Sequence, residues 1–198
     1  MSTFFTSDTH FYHARILELG EGRPFKSIQE HNEMLILNWN KLVMPEDTVY
    51  HLGDVALGPW PRGLVCVSRL NGYKKLVPGN HDRIFSGESE KRQERFYEDY
   101  ANVFDEILPE ITSVTLEDQE FVVSHFPYQE SEDTSGRLRY QDKSPVAEGL
   151  PLIHGHTHQQ EKLTWNKDSL QISVGVDARN WTPVPSEVVL EEFRSVSS

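Results

Sequence analysis

The chain has 198 residues, 37% of them hydrophobic, and its 31 acidic and 19 basic side chains leave a formal charge of −12 with histidine neutral. That length suits one domain, residues 1–198, able to bury a full core, while the negative field disfavours duplex nucleic acid as a partner. No apolar run approaches the roughly 20 residues of a membrane span, MSTFFTSDTH lacks a basic leader region and cleavage site, and a single cysteine, Cys66, excludes an intrachain disulfide or a multi-thiolate metal site, so a cytoplasmic protein is expected.

In chain order, Ser2 to Thr6 reads as a short strand stopped at Ser7-Asp8. Ser27 to Val43 spaces Ile28, Leu35, Trp39 and Leu42 as an amphipathic helix capped by Ser27 and broken by Pro45-Glu46-Asp47. Thr48 to Leu52 is a strand ending at Gly53-Asp54, Pro61 to Leu70 a helix, and Tyr73 to Val77 a strand stopped by Pro78-Gly79. Glu88 to Asn102 is a charged helix. Ile111 to Leu116 and Glu120 to Ser124 flank a polar turn, as in a hairpin. Leu152 to His154 and Leu170 to Val176 are further strands, and Ser186 to Phe193 a last helix. Gln129 to Gly149 is polar and aperiodic, a long loop of the kind that is functional or disordered.

Nine histidines are many for this length, and they gather with carboxylates at strand ends: Asp8-Thr9-His10, Gly53-Asp54, Gly79-Asn80-His81-Asp82, His125 and His154-Gly155-His156-Thr157-His158. In an open α/β sheet the strand ends share one edge, so these clusters converge. Singly each has a plainer reading, an Asp-x-His turn being held together by its own backbone; jointly they point to a binuclear site. Oxygen and imidazole donors without thiolate suit manganese, iron, zinc or nickel better than calcium or magnesium.

In their order these five clusters resemble the signatures of the calcineurin-like metallophosphoesterases, and Ser7 to His13, Tyr50 to Val55 and Val174 to Asp177 resemble the small single-domain bacterial and phage branch, with Tyr12 where that branch commonly has glycine. The resemblance implies two mixed β-sheets packed face to face with helices on both outer sides, a four-layer α-β-β-α fold. It implies that Asp8, His10, Asp54 and His158 bind one divalent metal and Asp54, Asn80, His125 and His156 the other, manganese first, with iron, zinc or nickel as alternatives. A hydroxide shared by the metals would attack phosphorus in line. His81 would protonate the leaving oxygen, and Asp82 would orient or charge-stabilise His81 or lie on an exposed turn. His154 could bond a ligand or its own backbone. His13 could reach substrate or cap a helix, while His51 is expected to pack in its strand and His31 receives no role. Arg137, Arg139 and Tyr140 of the long loop, near the active site, could clamp phosphate or stack on a base.

Gly53-Asp54-Val55-Ala56-Leu57-Gly58 lacks the acidic residue and arginine that follow Gly-Asp in the protein Ser/Thr phosphatases of this superfamily. A protein phosphatase is therefore not expected. Without a cationic grip beyond the metals, a small monoanionic diester, such as a short or cyclic nucleotide, suits the site better than a dianionic monoester. A phosphomonoesterase of small metabolites is the alternative, and a non-catalytic metal-stabilised binding module a more distant one.

Overall fold

Successive side chains of a strand point to opposite faces, and this alternation builds the layers. The computed structural model describes residues 1–19, 22–129 and 140–196. Strand β1 (Thr3–Thr6) sends Phe4 into one hydrophobic cluster and Phe5 into another. Strand β2 (Thr48–His51) divides Val49 from Tyr50 in the same way, and Leu76, the last residue of β3 (Tyr73–Leu76), is divided from the adjoining Val77. These strands run parallel, flanked by β4 (Glu106–Ile107) and by an antiparallel β10 (Val184–Pro185), in the order β10-β1-β2-β3-β4.

Parallel neighbours need crossover connections. Here α1 (Ile28–Leu42), α2 (Trp60–Val67) and α3 (Glu90–Ala101) supply them, burying Leu35, Ile36, Trp39, Leu64, Val67 and Tyr100 beside Phe4. The first of these helices begins where expected: Ser27 Oγ accepts from the Glu30 amide at 3.1 Å while the Glu30 carboxylate accepts from the Lys26 amide at 2.6 Å.

The second sheet comprises β5 (Ile111–Leu116), β6 (Gln119–Ser124), β7 (Leu152–His154), β8 (Leu163–Asn166) and β9 (Ser169–Ser173), ordered β5-β6-β7-β9-β8, with hairpins at both edges and parallel pairing between. Its Phe121, Val123, Ile153 and Ile172 meet Phe5, Leu52 and Val77 of the first sheet and its strand ends, so the core between the sheets is apolar. Val189 and Leu190 of α4 (Ser186–Val196) join that core, and the helix touches β1, β10 and β9. This is the α/β architecture of two packed mixed sheets that the family resemblance implies. No helix among the described residues is long and apolar enough to cross a membrane.

Three strands were not anticipated. Two of them, β4 and β10, have two residues each and carry no readable period. Strand β9 stops at Ser173, short of the expected Val176, because the chain leaves the second sheet and Gly175 bridges to Ser7 of the first. Of the long loop, residues 130–139 lie outside the described residues, and Gln141–Lys143 form a single 3-10 turn.

Candidate metal centre

The loops that follow β1, β2, β3, β6 and β7 meet at one edge of the two sheets. Their backbone is unusual: Asp8, His10, Tyr12, Asp54, His156 and His158 have φ of 60, 46, 61, 55, 70 and 52°. For residues other than glycine that region costs on the order of 1 kcal/mol or more apiece, a strain that surrounding structure must over-determine. Tyr12 is one of these positions. Two close approaches set the spacing of the loops. A Cβ on Gly53 would lie 2.3 Å from the Gly79 nitrogen, and one on Gly155 would lie 2.5 Å from Asp8 Oδ2.

Asp82 clamps two of these loops together. The amides of Asp54, Val55 and Gly79 donate to its carboxylate at 2.9, 3.1 and 2.8 Å, and the Tyr100 hydroxyl donates at 3.3 Å. It is fully buried, and burial together with the nearby Asp54 charge pushes its carboxyl up to about 7. This corrects the expectation of an exposed turn. Among the described residues Asp82 makes no hydrogen bond to His81, its oxygens being taken by the Tyr100 hydroxyl and by backbone amides of the Gly53-Asp54 and Gly79 turns.

Two donor groups form inside the clamp. Asp8, His10 and His158 bring one ligand atom each within 4.8 Å of one another, and Asp54, His125 and His156 do the same. Asp54 lies between the groups, with Oδ2 3.5 Å from His10 Nε2 and Oδ1 3.5 Å from His125 Nε2. Asn80 Oδ1 is 3.2 Å from His125 Nε2. His81 stands at the rim, its Nε2 3.9 Å from Asp54 Oδ2 and its side chain 42% exposed.

Ring orientation follows from what the other nitrogen does. His125 Nδ1–H donates to the Leu52 carbonyl at 2.6 Å and His158 Nδ1–H to Asp177 Oδ2 at 2.8 Å, which turns both Nε2 lone pairs inward. As a result His10 Nε2 faces His158 Nε2 at 3.2 Å, and His156 Nδ1 faces His125 Nε2 at 3.2 Å. Burial depresses the imidazolium form of His10 well below its usual value and that of His156 to about 3, so both are neutral. Burial also disfavours the charged forms of His125 and His158, but Asp54 and Asp8 for the first, and Asp177 and Asp8 for the second, raise them overall.

The donors fit a pair of divalent cations. Asp8 Oδ2 accepts from the His156 amide at 2.9 Å, yet its Oδ1 is buried without any hydrogen-bond partner. Leaving a carboxylate oxygen so costs several kcal/mol unless a cation satisfies it. Facing imidazole nitrogens are likewise explained by a cation accepting both lone pairs.

Behind the donors lies a network that sequence reasoning missed. Arg23 is buried, and its donors reach five acceptors: Asp177 Oδ1 at 2.9 Å, Asp177 Oδ2 at 2.8 Å, the carbonyls of Asp8 at 2.8 Å and Thr9 at 3.3 Å, and His31 Nε2 at 2.8 Å. His31 in turn donates from Nδ1 to Asn32 Oδ1 at 3.1 Å, and burial lowers it to about 4, keeping it the neutral acceptor that Arg23 needs. His31, given no role above, therefore helps hold the Asp8-x-His10 turn. A buried arginine beside a chain of acceptors has no local sequence signal; Asp177 was visible only as part of Val174 to Asp177.

The remaining residues separate. His51 packs between Trp39 and Phe104 and meets Thr9 Oγ1 at 2.9 Å. His13 caps nothing through its side chain; its Nδ1 lies 3.3 Å from His10 Nδ1. His154 donates from Nδ1 to the Gly155 carbonyl at 2.8 Å, with Nε2 buried and unpartnered. Tyr140 rests against Phe85 and Phe126, the latter against His156. Arg137 and Arg139 lie outside the described residues.

Comparison with known proteins matches the model of the Calcineurin-like phosphoesterase superfamily domain to residues 1–194. The chain belongs to this superfamily. Its relatives include the Gene 66 protein of Mycobacterium phage L5, 32% identical across 89% of this chain and 87% of that one, and a Methanocaldococcus jannaschii protein, MJ1445, 30% identical across 95% and 89%. Among solved structures, a protein of unknown function from Aquifex aeolicus, AQ665, superposes with a TM-score of 0.64 at 27% identity, covering 96% of this chain and 98% of that one. The superfamily is metal-dependent, and the protein has two residue groups that could each hold a metal ion.

Proposed function

We propose that the protein is a binuclear metal-dependent phosphodiesterase of small or cyclic nucleotides, with manganese preferred over iron, zinc and nickel. The observation that supports this reading is Asp54, 2% exposed, placed between the Asp8-His10-His158 and His125-His156 donors, with a solvent-facing imidazole, His81, on its open side.

Asp8, His10, Asp54 and His158 would hold one cation and Asp54, Asn80, His125 and His156 the other. When bound, such a pair lowers the pKa of a water and takes up phosphoryl charge. The protein supplies the rest. Asp82 fixes the carboxylate turn, Asp177 fixes the His158 tautomer, and the Leu52 carbonyl fixes that of His125. The His81 amide donates to Asp54 Oδ1 at 2.9 Å, which anchors that residue while its ring stays free to donate Nε2–H to the departing oxygen.

The direct test is hydrolysis of bis-p-nitrophenyl phosphate with added manganese, compared with p-nitrophenyl phosphate and with a chelator present. Turnover of the diester above the monoester, abolished by chelation, is expected; no turnover with any of the four metals would refute the reading. His81→Ala is expected to lower kcat by about 10² to 10⁴ with little change in KM, the usual range for losing a general acid. The loss should be smaller for p-nitrophenolate, a good leaving group, than for an alkoxide. Equal losses on both would remove His81 from the proton-donor role.

A further inference from the structure

Against a net charge of −12, four cations share one concavity: Arg83, Lys91, Arg92 and Arg95 line a cavity of about 370 Å³ with Ser89 and Phe96. Among the described residues Arg92 is the member with a carboxylate partner, Glu88 at 3.2 Å, and no ion pair engages Arg83, Lys91 or Arg95. Like charges placed together repel, and burial and the charges of Arg92 and Arg95 hold the Arg83 guanidinium below its usual value. Such a cluster is stabilised when an anion enters it.

Lys91, Arg92 and Arg95 are exposed, and aromatic rings order the three arginines. Arg83 lies 4.7 Å from the centroids of both Trp60 and Phe96, whose own rings are 5.0 Å apart, and Arg95 and Arg92 approach Phe96 at 5.1 and 5.8 Å. Packed against this edge-to-face pair of rings, the Arg83 guanidinium is held in place, and a planar guanidinium suits bidentate contact with phosphate. The Arg83 amide is fixed in turn by the Tyr100 hydroxyl that also donates to Asp82.

Position ties the cavity to the chemistry. Arg83 follows His81 by two residues, so their Cα atoms are within about 7 Å. Both belong to the loop after β3, and Trp60 follows the loop after β2 that carries Asp54, at the edge where the parallel strands end. We infer that Arg83, Lys91, Arg92 and Arg95 form a subsite for a second phosphate group on the substrate, carried on the leaving-group side where His81 stands. The substrate class is then a nucleotide bearing an additional terminal phosphate beyond the scissile diester, the cluster holding that second phosphate and not the scissile one. This rests on the phosphodiesterase reading for its catalytic consequence, but not for anion binding itself.

Two measurements separate these layers. In the first, calorimetry of the metal-free protein with pyrophosphate is expected to show binding weakened at least tenfold in Arg83→Gln/Arg95→Gln; absent binding at millimolar pyrophosphate, or equal binding in the double variant, overturns the subsite. In the second, manganese-loaded protein is given the thymidine dinucleotide and its 5′- and 3′-phosphorylated forms. One phosphorylated form is expected to exceed the unmodified dinucleotide in kcat/KM by tenfold or more, and that ratio to fall toward one in the double variant. A ratio near one in the wild type, or one unchanged by the substitutions, overturns the inference. If no diester turns over at all, the phosphodiesterase reading fails, and the pyrophosphate result alone decides the subsite.

Discussion

Asp54→Asn should remove phosphoester hydrolysis, by about 10³-fold or more in kcat/KM, since metal ions contribute several kcal/mol of transition-state charge stabilisation and each 1.4 kcal/mol is a factor of ten. Asp54 offers one oxygen to each donor group, 3.5 Å from His10 Nε2 and 3.5 Å from His125 Nε2. An amide in its place turns N–H groups toward one of those imidazoles and lacks the charge to share between two cations. The turn itself should survive: the Asp54 amide still donates to Asp82 and its carbonyl still accepts from the His10 amide. Relieved repulsion with Asp82 and lost attraction to His125 oppose each other, so the metal-free variant is expected to melt close to the wild type. What it should lose is the gain on adding manganese, about 2.7 kcal/mol at one hundred times the dissociation constant. Scanning calorimetry with and without metal, alongside the bis-p-nitrophenyl phosphate assay, checks both. A variant that keeps its metal-dependent stabilisation and its turnover would show that Asp54 is not shared.

Arg23→Met should be the most destabilising single change at the site, costing about 3 to 5 kcal/mol, as removal of one partner from a buried ion pair does. The loss strands Asp177, whose side chain is 10% exposed, and unpairs the Asp8 and Thr9 carbonyls and His31 Nε2. Lysine should not rescue, because an ammonium has three donors and cannot span five acceptors in a plane. The pH dependence has a definite sign. Burial raises the Asp177 carboxyl, but its bond to His158 and the charge of Arg23 outweigh that and lower it overall. A lowered carboxylate contributes stability that is present above the unfolded value near 3.9 and is lost as pH falls through the folded one. Urea unfolding of wild type, Arg23→Met and Arg23→Lys at pH 7 and in acid measures this; a loss below about 1 kcal/mol for Arg23→Met at pH 7 would mean that water replaces the guanidinium. Manganese affinity should fall 10- to 100-fold as well, the usual effect of disturbing a ligand's hydrogen-bond partner.

Much of the fold was readable because its signals are local. Ser27 caps α1, Pro78-Gly79 ends β3 within a residue, and the polar turn after Leu116 produces the β5–β6 hairpin. Strand β8 carried such signals too, a β-prone Leu163 to Asn166 followed by a turn at Lys167, and pairs antiparallel with β9. It went unread because its four residues stand between loops. The strands β4 and β10 are held by neighbours alone, and no pattern within two residues could announce them.

The chemistry of the centre divides similarly. Sequence by itself determined the donor types and their grouping at strand ends, since oxygen and imidazole ligands must sit on short turns and turns are local. Only the tertiary structure decided which nitrogen of His125 and His158 faces inward, that Asp82 is buried and clamps two loops, and that Arg23 reaches Asp177 across 154 residues to hold the Asp8 and Thr9 carbonyls. It also decided that a strongly acidic chain gathers four cations beside its candidate site. Net charge sums over the surface, whereas a ligand responds to the field where it binds, and that field depends on which side chains the fold brings within a few ångströms.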